Sequence, residues 1–375
     1  MKKMICFFIC LIMMPVSAYA EGIDGVNAKS SILIEESTGM VLAESEPDER
    51  LPIASVTKIM TMLLIMERID SGMLSYEDMV SVSENAMSYG GSTMFLEAGE
   101  ELSVSDMLKG IAVASANDGC VAMAEHIAGS ESAFVDMMNA RAVELGMENT
   151  HFMNTNGLDE DDHYSSARDV ALMSRELLKH PGITDYTSIW TDELRGGKFK
   201  LANTNKLVRF YNGANGLKTG STSKALCCLS ASAERDGMQL VAVVLGSPTS
   251  AERFASAKAL LDYGFANYAV TSLCTESEEI ADADVINGES DTVKAVTTEE
   301  KKLVGAKADM GDVERQVRLN EDLTAPLKAG DVIGSLDFSS NGEIIDSVEL
   351  VAAQDIEKKG IGRIMADLIS GLLGR

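Results

Sequence analysis

Ser55 and Lys58 stand three residues apart, where a continuous apolar run over residues 59–66 begins. A run that is apolar nearly all round is typical of a helix buried inside a protein. Residues i and i+3 share a helix face, so the hydroxyl and the amine are expected to be neighbours. A serine needs an adjacent base to act as a nucleophile, and a desolvated lysine can be neutral enough to serve. The pair therefore predicts nucleophilic catalysis.

The alternative is that Ser55 only caps the helix. A capping box has Glu or Gln three residues after the cap, whereas this chain has Lys58 there. A cation in the first helical turn also opposes the helix dipole. Lowering a lysine pKa from about 10.4 to about 7 takes about 4–5 kcal/mol, which burial and a second cation would supply. Both interpretations stay open on this spacing alone.

A second polar group, Ser115 with Asn117, lies between two predicted helices. In a catalytic interpretation, the hydroxyl relays a proton and the amide side chain holds the backbone of a substrate. In the alternative interpretation, the segment caps the helix that follows it.

A third group, Lys218, Thr219 and Gly220, follows a turn-forming stretch at residues 212–216 and precedes two apolar runs. This pattern predicts the first of three antiparallel strands. On a sheet edge, these residues would offer a cation, a hydroxyl and an unobstructed backbone to a ligand. Alone, the tripeptide fits an ordinary charged strand equally well.

The three motifs, Ser-x-x-Lys, Ser-x-Asn and Lys-Thr-Gly, occur in this order from Ser55, Ser115 and Lys218. The order resembles the penicillin-binding proteins and serine β-lactamases. Within that group the chain is most similar to the low-molecular-mass D-alanyl-D-alanine carboxypeptidases of the peptidase S11 family. The likeness spans about residues 28–268 and is also carried by Asn-Gly-Leu at 156–158, His-Tyr-Ser-Ser-Ala-Arg-Asp at 163–169 and Asn-Thr-Asn at 203–205.

The resemblance implies a role for each catalytic candidate. Ser55 would attack the carbonyl between two D-alanines of a peptidoglycan stem peptide and become acylated, with Lys58 as the base. Ser115 would pass the proton to the leaving amine, and Asn117 would orient the peptide. β-Lactam antibiotics would acylate Ser55 as substrate mimics.

The resemblance also implies the binding residues. Lys218 and Thr219, with Gly220 beside them, would bind the terminal carboxylate of the substrate, and Arg253 would help to hold it. The backbone N–H groups of Ser55 and Ser221 would form the oxyanion hole, which is typically worth about 3–4 kcal/mol. The resemblance implies no cofactor and no metal.

Two other functions remain as alternatives, a serine β-lactamase on the same fold and a non-enzymatic module that binds peptidoglycan or senses β-lactams. A class A β-lactamase would need a deacylating Glu in a Glu-x-x-Leu-Asn segment, and no such segment lies between Asn117 and Lys218. Asn215 and Leu226 depart from the family pattern, where Asp and a small residue are usual.

The fold class predicted for the chain is α+β. Residues 31–35 and 40–43 predict a hairpin, helical patterns then dominate to about residue 180, and the three-strand pattern follows. A domain of residues 21–270 is therefore expected to have the β-lactamase/DD-peptidase-like architecture, an antiparallel sheet flanked by helices.

Two smaller segments follow the large domain. Short alternating stretches broken by Gly, Asn and Asp predict a small all-β domain at residues 271–354. Residues 355–375 carry apolar side chains at helical spacing with basic residues nearby, which predicts an amphipathic helix lying in a membrane surface through residues 356–375. The alternative is a helix docked on its own protein.

Residues 1–20 form a basic start, an apolar run and a small-x-small cleavage site, which is typical of a secretory signal peptide. The protein is therefore expected outside the cytoplasm, at the outer face of the bacterial cytoplasmic membrane and in the cell wall. A formal net charge of −26 argues against nucleic acid as a partner.

The cysteines and histidines show no metal-ligand spacing. Cys6 and Cys10 leave with the signal peptide, and Cys120, Cys227, Cys228 and Cys274 remain. They are interpreted as buried small hydrophobic residues, because adjacent Cys227 and Cys228 on a strand would point to opposite faces.

Overall fold

The computed structural model describes residues 23–308, 310, 312–340, 342–363 and 365. The chain divides into two units, Met1–Gly264 and Phe265–Arg375. The predicted signal peptide at residues 1–20 lies outside the described residues.

The described part of the first unit forms nine strands, and five of them make one antiparallel sheet. The strands are β1 (Ser30–Glu35), β2 (Val41–Ser45), β3 (Met79–Ser81), β4 (Glu101–Ser103), β5 (Thr191–Leu194), β6 (Phe199–Ala202), β7 (Ala214–Thr222), β8 (Leu226–Arg235) and β9 (Met238–Ser247). The sheet order is β2-β1-β9-β8-β7, while β3 pairs with β4 and β5 with β6. The predicted hairpin and three-strand segment are confirmed, and β7 lies at the sheet edge.

The helices are α1 (Lys58–Asp70), α2 (Glu84–Met87), α3 (Val104–Lys109), α4 (Asn117–Ala128), α5 (Glu131–Glu144), α6 (Ala167–Leu178), α7 (Ile183–Thr187), α8 (Leu207–Phe210) and α9 (Ser250–Asn267). A 3₁₀ helix, Ala54–Thr57, precedes α1, and a π-helical turn, Gly110–Ala114, follows α3. The strands and helices together confirm the predicted α+β class.

Helix α1 is the buried helix that its apolar run predicted. Every residue from Lys58 to Met66 is buried, and the helix packs against α4, α5 and α6. A helix apolar on all sides is stable only when other elements cover it completely. The 3₁₀ turn before α1 is thereby attached to a deeply buried helix.

Serine caps define where three other helices begin. The side chains of Ser103, Ser130 and Ser166 each accept a hydrogen bond of 3.1 Å from the N–H three residues further on. Each such cap is worth about 1 kcal/mol because it satisfies an N–H that has no partner inside the helix. These caps place the N-termini of α3, α5 and α6.

The second unit is the small all-β domain that the alternating segments predicted. Its strands are β10 (Tyr268–Cys274), β11 (Glu279–Asp284), β12 (Thr292–Thr297), β13 (Lys301–Ala306), β14 (Glu314–Leu319), β15 (Val332–Ser340) and β16 (Glu343–Ala352). The main sheet has the order β11-β12-β16-β15-β14, and β10 pairs with β13. Ile333, Leu336, Phe338 and Leu350 are fully buried in its core.

Strand β11 was not predicted, because its sequence was interpreted only as an acidic and polar stretch. Ala283 is its one buried residue, so the strand lacks the alternation by which half-buried strands are recognised. Pairing with β12 makes it a strand nonetheless.

The predicted amphipathic segment, residues 355–375, does not begin as a helix. Residues 355–360 are not helical, and Ile356 pairs with Leu327 and is buried in the core of the second unit. Residues 364 and 366–375 lie outside the described residues. Residues 361–363 are helical, and Ile361 is 80% and Met365 61% exposed. Within the part of the chain that the structure describes, no helix combines the length and apolar character needed to cross a membrane.

The four described cysteines are free thiols. Cys120, Cys228 and Cys274 are buried, as interpreted from the sequence, but Cys227 is only half-buried and its Sγ lies 3.9 Å from Ser221 Oγ. The outward face of β8 at Cys227 is incompletely covered, so the prediction of burial was wrong there.

Candidate active site

Ser55 lies in the 3₁₀ turn that leads into α1, and its Oγ is 2.9 Å from Lys58 Nζ. The i to i+3 pairing predicted from the spacing is therefore present. The helix caps fall at Ile53 and Thr57, and neither side chain makes a capping hydrogen bond. The interpretation of Ser55 as only a cap is wrong, since its hydroxyl bonds to the lysine instead.

Lys58 is fully buried, and its amine has three partners. Besides Ser55, Nζ contacts Asn117 Oδ1 and the Asn156 carbonyl oxygen, each at 2.7 Å. Burial lowers the pKa of Lys58 to about 8, and Cys120 and Asp118 oppose this only in part. A neutral amine has two N–H donors for the two carbonyl oxygens and one lone pair that can accept from the Ser55 hydroxyl. The arrangement therefore suits a base acting on Ser55.

Ser115 directly follows the π-helical turn and Asn117 is the first residue of α4. The contact of Asn117 with Lys58 brings this segment to the nucleophile. Ser115 is buried and has a left-handed backbone conformation, with φ of 63°. Such a conformation is strained for a residue with a side chain and is common at functional sites. Asn117 Nδ2 also donates to the Gly90 carbonyl at 2.8 Å, which leaves one amide hydrogen for a substrate.

Strand β7 carries the Lys-Thr-Gly motif past the 3₁₀ turn that holds Ser55. Lys218 is 1% exposed, and burial first, then the charge of Lys58, hold its pKa well below its ordinary value. Thr219 Oγ1 donates to Thr204 Oγ1 at 2.7 Å. Strand β7 packs against the 3₁₀ turn that holds Ser55 and against α1.

Gly220 allows β7 to approach the nucleophile turn closely. A Cβ added at this position would lie 2.5 Å from the Ile53 carbonyl oxygen and 3.0 Å from the backbone nitrogen of Ser55. Real Cβ atoms cannot come this close to backbone, so any other residue would push the strand away. Gly220 is thus the point at which β7 contacts the Ser55 turn, and Ser221 follows it in the strand.

Arg253 on α9 lies behind β7. Its Nη1 donates to the carbonyl oxygens of Gly220 at 3.1 Å and Cys228 at 3.3 Å, and its Nη2 donates to Ser250 Oγ. The side chain is 6% exposed, and its buried Nε has no acceptor among the described residues. The guanidinium therefore supports the backbone of β7 and β8 through Nη1.

No group of three or more His, Cys, Asp or Glu side chains suited to a metal ion occurs in the described ranges. The polar groups around Ser55 are amines, amides, hydroxyls and backbone groups. This set fits acyl transfer to a serine, which needs a base, a proton relay and donors for an oxyanion.

Comparison with known proteins agrees with this geometry. The family model "Peptidase_S11: D-alanyl-D-alanine carboxypeptidase" matches residues 17–249, and "Penicillin-binding protein 5, C-terminal domain" matches residues 268–358. The chain belongs to the peptidase S11 family. The resemblance stated from the three motifs is thereby confirmed.

Individual relatives of this S11 protein cover most of its length. It is 45% identical over 337 residues to the D-alanyl-D-alanine carboxypeptidase DacF of Bacillus subtilis, covering 89% of this chain and 87% of that protein. The crystal structure of penicillin binding protein 5 from Haemophilus influenzae matches with a TM-score of 0.74 and 33% identity, covering 89% of this chain and 98% of that one.

A third relative was solved with an antibiotic bound. Penicillin-Binding Protein D2 from Listeria monocytogenes, in the ampicillin bound form, is 31% identical with a TM-score of 0.58 and covers 64% of this chain and 97% of that one. The S11 family acts on D-Ala-D-Ala peptides of peptidoglycan and binds β-lactams.

Sequence reasoning missed four residues that contact the Ser55 turn of this S11 enzyme: Thr57, Asn156, Gly157 and His163. Thr57 was passed over because it lies inside the Ser-x-x-Lys spacing. His163 and the Asn-Gly turn at 156–157 lie in stretches that carry the family resemblance, but no role was assigned to them. Asn156 contributes through its backbone carbonyl and Gly157 through its lack of a side chain.

Proposed function

We propose that Ser55 is the nucleophile through which this D-alanyl-D-alanine carboxypeptidase removes the terminal D-alanine from peptidoglycan stem pentapeptides. One observation carries the assignment: a fully buried lysine amine lies 2.9 Å from Ser55 Oγ, and burial lowers its pKa to about 8. A base with a pKa near the working pH combines a useful neutral fraction with good proton affinity. Lys58 is assigned as that base.

Acylation begins when Lys58 takes the hydroxyl proton of Ser55 while Oγ attacks the carbonyl carbon between the two D-alanines. The backbone N–H groups of Ser55 and Ser221 receive the negative charge that develops on the carbonyl oxygen. Ser115 passes the proton from Lys58 to the leaving nitrogen. The C–N bond then breaks, D-alanine departs, and the shortened peptide remains as an ester on Ser55.

Deacylation reverses the use of the same groups. A water molecule gives a proton to Lys58 and attacks the ester carbon, and the oxyanion again lies between the two N–H groups. Ser55 Oγ leaves and regains its proton from the lysine. No additional carboxylate base is required in this scheme.

The terminal carboxylate of the substrate is assigned to Lys218, Thr219 and Arg253. Arg253 Nη1 donates to the Gly220 carbonyl, which places its positive charge next to the strand that carries Lys218 and Thr219. A bound anion would also stabilise the charged form of Lys218, whose pKa burial and Lys58 otherwise hold low. Recognition of a free carboxylate accounts for removal of the last residue only.

β-Lactams enter the same scheme as substrate mimics. The lactam carbonyl takes the place of the peptide carbonyl, and the ring opens when Ser55 Oγ attacks it. The leaving nitrogen stays attached to the acyl group, so the acyl-enzyme persists where a peptide would be released.

We further propose that the protein is exported and acts at the outer face of the cytoplasmic membrane. The basic and apolar start of residues 1–20 supports export. The helical spacing of apolar residues in 356–375, with exposed Ile361 and Met365, supports binding to the membrane surface.

Labelled-penicillin capture and D-alanine release test the chemistry together. Wild type, Ser55→Ala and Lys58→Ala are compared, with Ser71→Ala as the matched control because this serine is exposed. Capture and release are expected in wild type and Ser71→Ala and lost in the other two variants. Release of D-alanine by Ser55→Ala would overturn the assignment. An acyl-enzyme that hydrolyses within seconds would instead indicate a β-lactamase.

Sedimentation with lipid vesicles tests the membrane assignment. The full mature chain is expected to pellet with anionic vesicles, and a chain ending at residue 355 is expected to stay in the supernatant. Equal sedimentation of the two chains would contradict the assignment.

A further inference from the structure

The residue before the nucleophile has an unusual backbone conformation. Ala54 has φ of 49° and is 2% exposed. The left-handed conformation costs a residue with a Cβ about 1–2 kcal/mol, so surrounding contacts must hold it. The Ala54 carbonyl and the Ser55 N–H are the two ends of one planar peptide group and point in opposite directions. A group that holds the carbonyl therefore also sets the direction of the N–H.

Thr57 holds that carbonyl. Its Oγ1 donates to the Ala54 carbonyl oxygen at 2.9 Å, and the residue is completely buried. A hydroxyl has one hydrogen, which this bond uses. The second contact of Oγ1, with His163 Nε2 at 2.8 Å, must therefore be one in which Thr57 accepts.

The other ring nitrogen of His163 fixes the tautomer. The Met153 N–H donates to Nδ1 at 3.1 Å, so Nδ1 carries no hydrogen. A neutral imidazole has a single N–H, which is then on Nε2 and donates to Thr57. Burial lowers the pKa of His163 to about 4, with His151 and Lys58 acting in the same direction and Asp159 opposing. The ring is therefore neutral at the pH at which the enzyme is assayed.

Gly157 lets a second loop pack directly against the carbonyl. A Cβ at this position would lie 1.9 Å from the Ala54 oxygen and 2.8 Å from Thr57 Oγ1, and the residue has φ of +84°. The position therefore requires glycine, since any side chain would displace the Ala54 carbonyl or the loop. The residue before it supplies the carbonyl that contacts Lys58 Nζ, so one loop supports both the nucleophile turn and the base.

We propose that Thr57 and His163 are positioning residues that aim the Ser55 N–H at the oxyanion of the acyl-transfer transition states. His163 orients the Thr57 hydroxyl, Thr57 holds the Ala54 carbonyl, and the rigid peptide transmits that orientation to the N–H. The inference rests on the proposed function, because it takes the Ser55 N–H as an oxyanion donor. Neither side chain is assigned a contact with substrate.

Removing the Thr57 hydroxyl is the first test. Thr57→Val keeps the shape of the side chain but cannot donate to the Ala54 carbonyl, whereas Thr57→Ser keeps the hydroxyl. Loss of a whole oxyanion donor costs about 10²–10³-fold in kcat, so a misdirected one is expected to cost about 10–100-fold. The kcat for D-alanine release and the rate of acylation by penicillin should fall together in Thr57→Val, with KM unchanged. Thr57→Ser should restore both.

A double-mutant comparison tests whether His163 acts on the Ser55 N–H through Thr57. His163→Phe keeps a ring but loses both hydrogen bonds, and His163→Gln keeps an amide N–H that can donate to Thr57. The first is expected to lower kcat about 3–10-fold and the second less than about twofold. Since His163 acts through the hydroxyl, adding His163→Phe to Thr57→Val should cost nothing further. If the kcat losses of Thr57→Val and His163→Phe multiply in the double variant, His163 does not act through Thr57.

Infrared spectra of the penicillin acyl-enzyme give a readout that packing alone would not change. Hydrogen bonds from the oxyanion hole weaken the ester C=O bond, so its stretch should move to higher wavenumber in Thr57→Val and return in Thr57→Ser. If Thr57→Val has an unchanged ester C=O band, or a kcat within about twofold of wild type, the inference is overturned.

The nucleophile assignment of Ser55 and the positioning roles of Thr57 and His163 are tested by separate variants. Capture of penicillin by Ser55→Ala would reject the proposed function itself. Loss of capture in Ser55→Ala with full activity in Thr57→Val would reject only the positioning roles. If Thr57→Val unfolds below the assay temperature, His163→Phe and His163→Gln are compared instead. Equal kcat values in these two variants overturn the positioning role of His163. A higher kcat in His163→Gln supports it.

Discussion

The two units of this chain differ in what they bury. Among the described residues of the second unit, Thr297 and Asp337 are the buried polar side chains, and the core consists of aliphatic residues with Phe338. The first unit buries many polar groups, among them Thr57, Lys58, Asn117, Asp118, Asn156, His163 and Lys218. Burying a polar group costs about 2–7 kcal/mol when no hydrogen bond compensates, and burying an isolated charge costs far more.

The first unit tolerates this interior because nearly every group has a partner. Lys58 makes three contacts, and the Asp118 carboxylate accepts from the backbone N–H groups of Met94, Leu96 and Gly119. The remaining cost appears as altered acidity, with burial lowering the pKa of Lys58 to about 8. The difference between the units teaches that one interior is arranged for reactivity and the other for packing.

The sharpest way to break this comparison is to remove the buried amine. Lys58→Met is expected to slow acylation by penicillin about 10²–10⁴-fold, because a general base typically contributes about that much. Lys224→Met is the matched control, since that lysine is 56% exposed and pairs only with exposed Asp161. Stopped-flow acylation rates measure both. If Lys224→Met slows acylation as much as Lys58→Met does, the buried position of Lys58 is not what makes it important.

The core of the second unit should respond in stability alone. Phe338→Ala is expected to lower the free energy of unfolding of this unit by about 3–5 kcal/mol, since the ring is fully buried and its removal leaves a cavity. Val317→Ala, at a 40% exposed position on β14, should cost less than about 0.5 kcal/mol. Urea unfolding measures both, and acylation rates of the folded proteins should equal wild type. A slower Phe338→Ala would show that this core affects the active site.

The altered acidity of Lys58 should appear in the pH dependence of stability. Its folded pKa of about 8 lies below the ordinary value of 10.5, so the unfolded chain binds more protons between these pH values. Stability contributed by this group therefore rises with pH across that window, by about 3 kcal/mol in total.

The measurement is the difference in unfolding free energy between wild type and Lys58→Met from pH 7 to 10.5. It should move in favour of wild type as the pH rises, and kcat/KM of wild type should increase through pH 8 as Lys58 loses its proton. A difference that is flat over this range would mean that the amine is not desolvated.

The smallest effect is expected at a polar group of the first unit away from Ser55. Ser130→Ala removes the cap of α5 and should lower the free energy of unfolding by about 1 kcal/mol, whereas Ser130→Asp retains an acceptor and should not. Thermal unfolding measures the shift, and kcat should be unchanged in both variants. A fall in kcat of either variant would show that the cap of α5, away from Ser55, also affects catalysis.

Local regularities were recoverable from the residues alone. The 3.6-residue helix repeat predicts that Ser55 and Lys58 face each other, and they do, at 2.9 Å. Apolar periodicity likewise predicted the hairpin, the three-strand segment and the buried helix α1. Periodicity failed at β11, where pairing with β12 and not side-chain burial defines the strand.

Long-range convergence was not recoverable in that way. Nothing in the spacing brings Asn117 or Lys218 to Ser55, and only the resemblance to a family did so before the structure was considered. The contacts of His163, 106 residues from Thr57, had no sequence signal at all. Which ring nitrogen carries the proton depends on Met153 and Thr57 together, which are neighbours of the ring only after folding.

The sequence by itself determined the element types, the pairing of Ser55 with Lys58 and, through three ordered motifs, the family. Only the tertiary structure decided that both lysines are desolvated, that Gly220 and Gly157 close around the Ser55 turn, and that Thr57 and His163 hold the preceding peptide. The physical reason is that helix and strand periodicity act over a few residues, while burial and hydrogen-bond direction depend on groups that folding brings together.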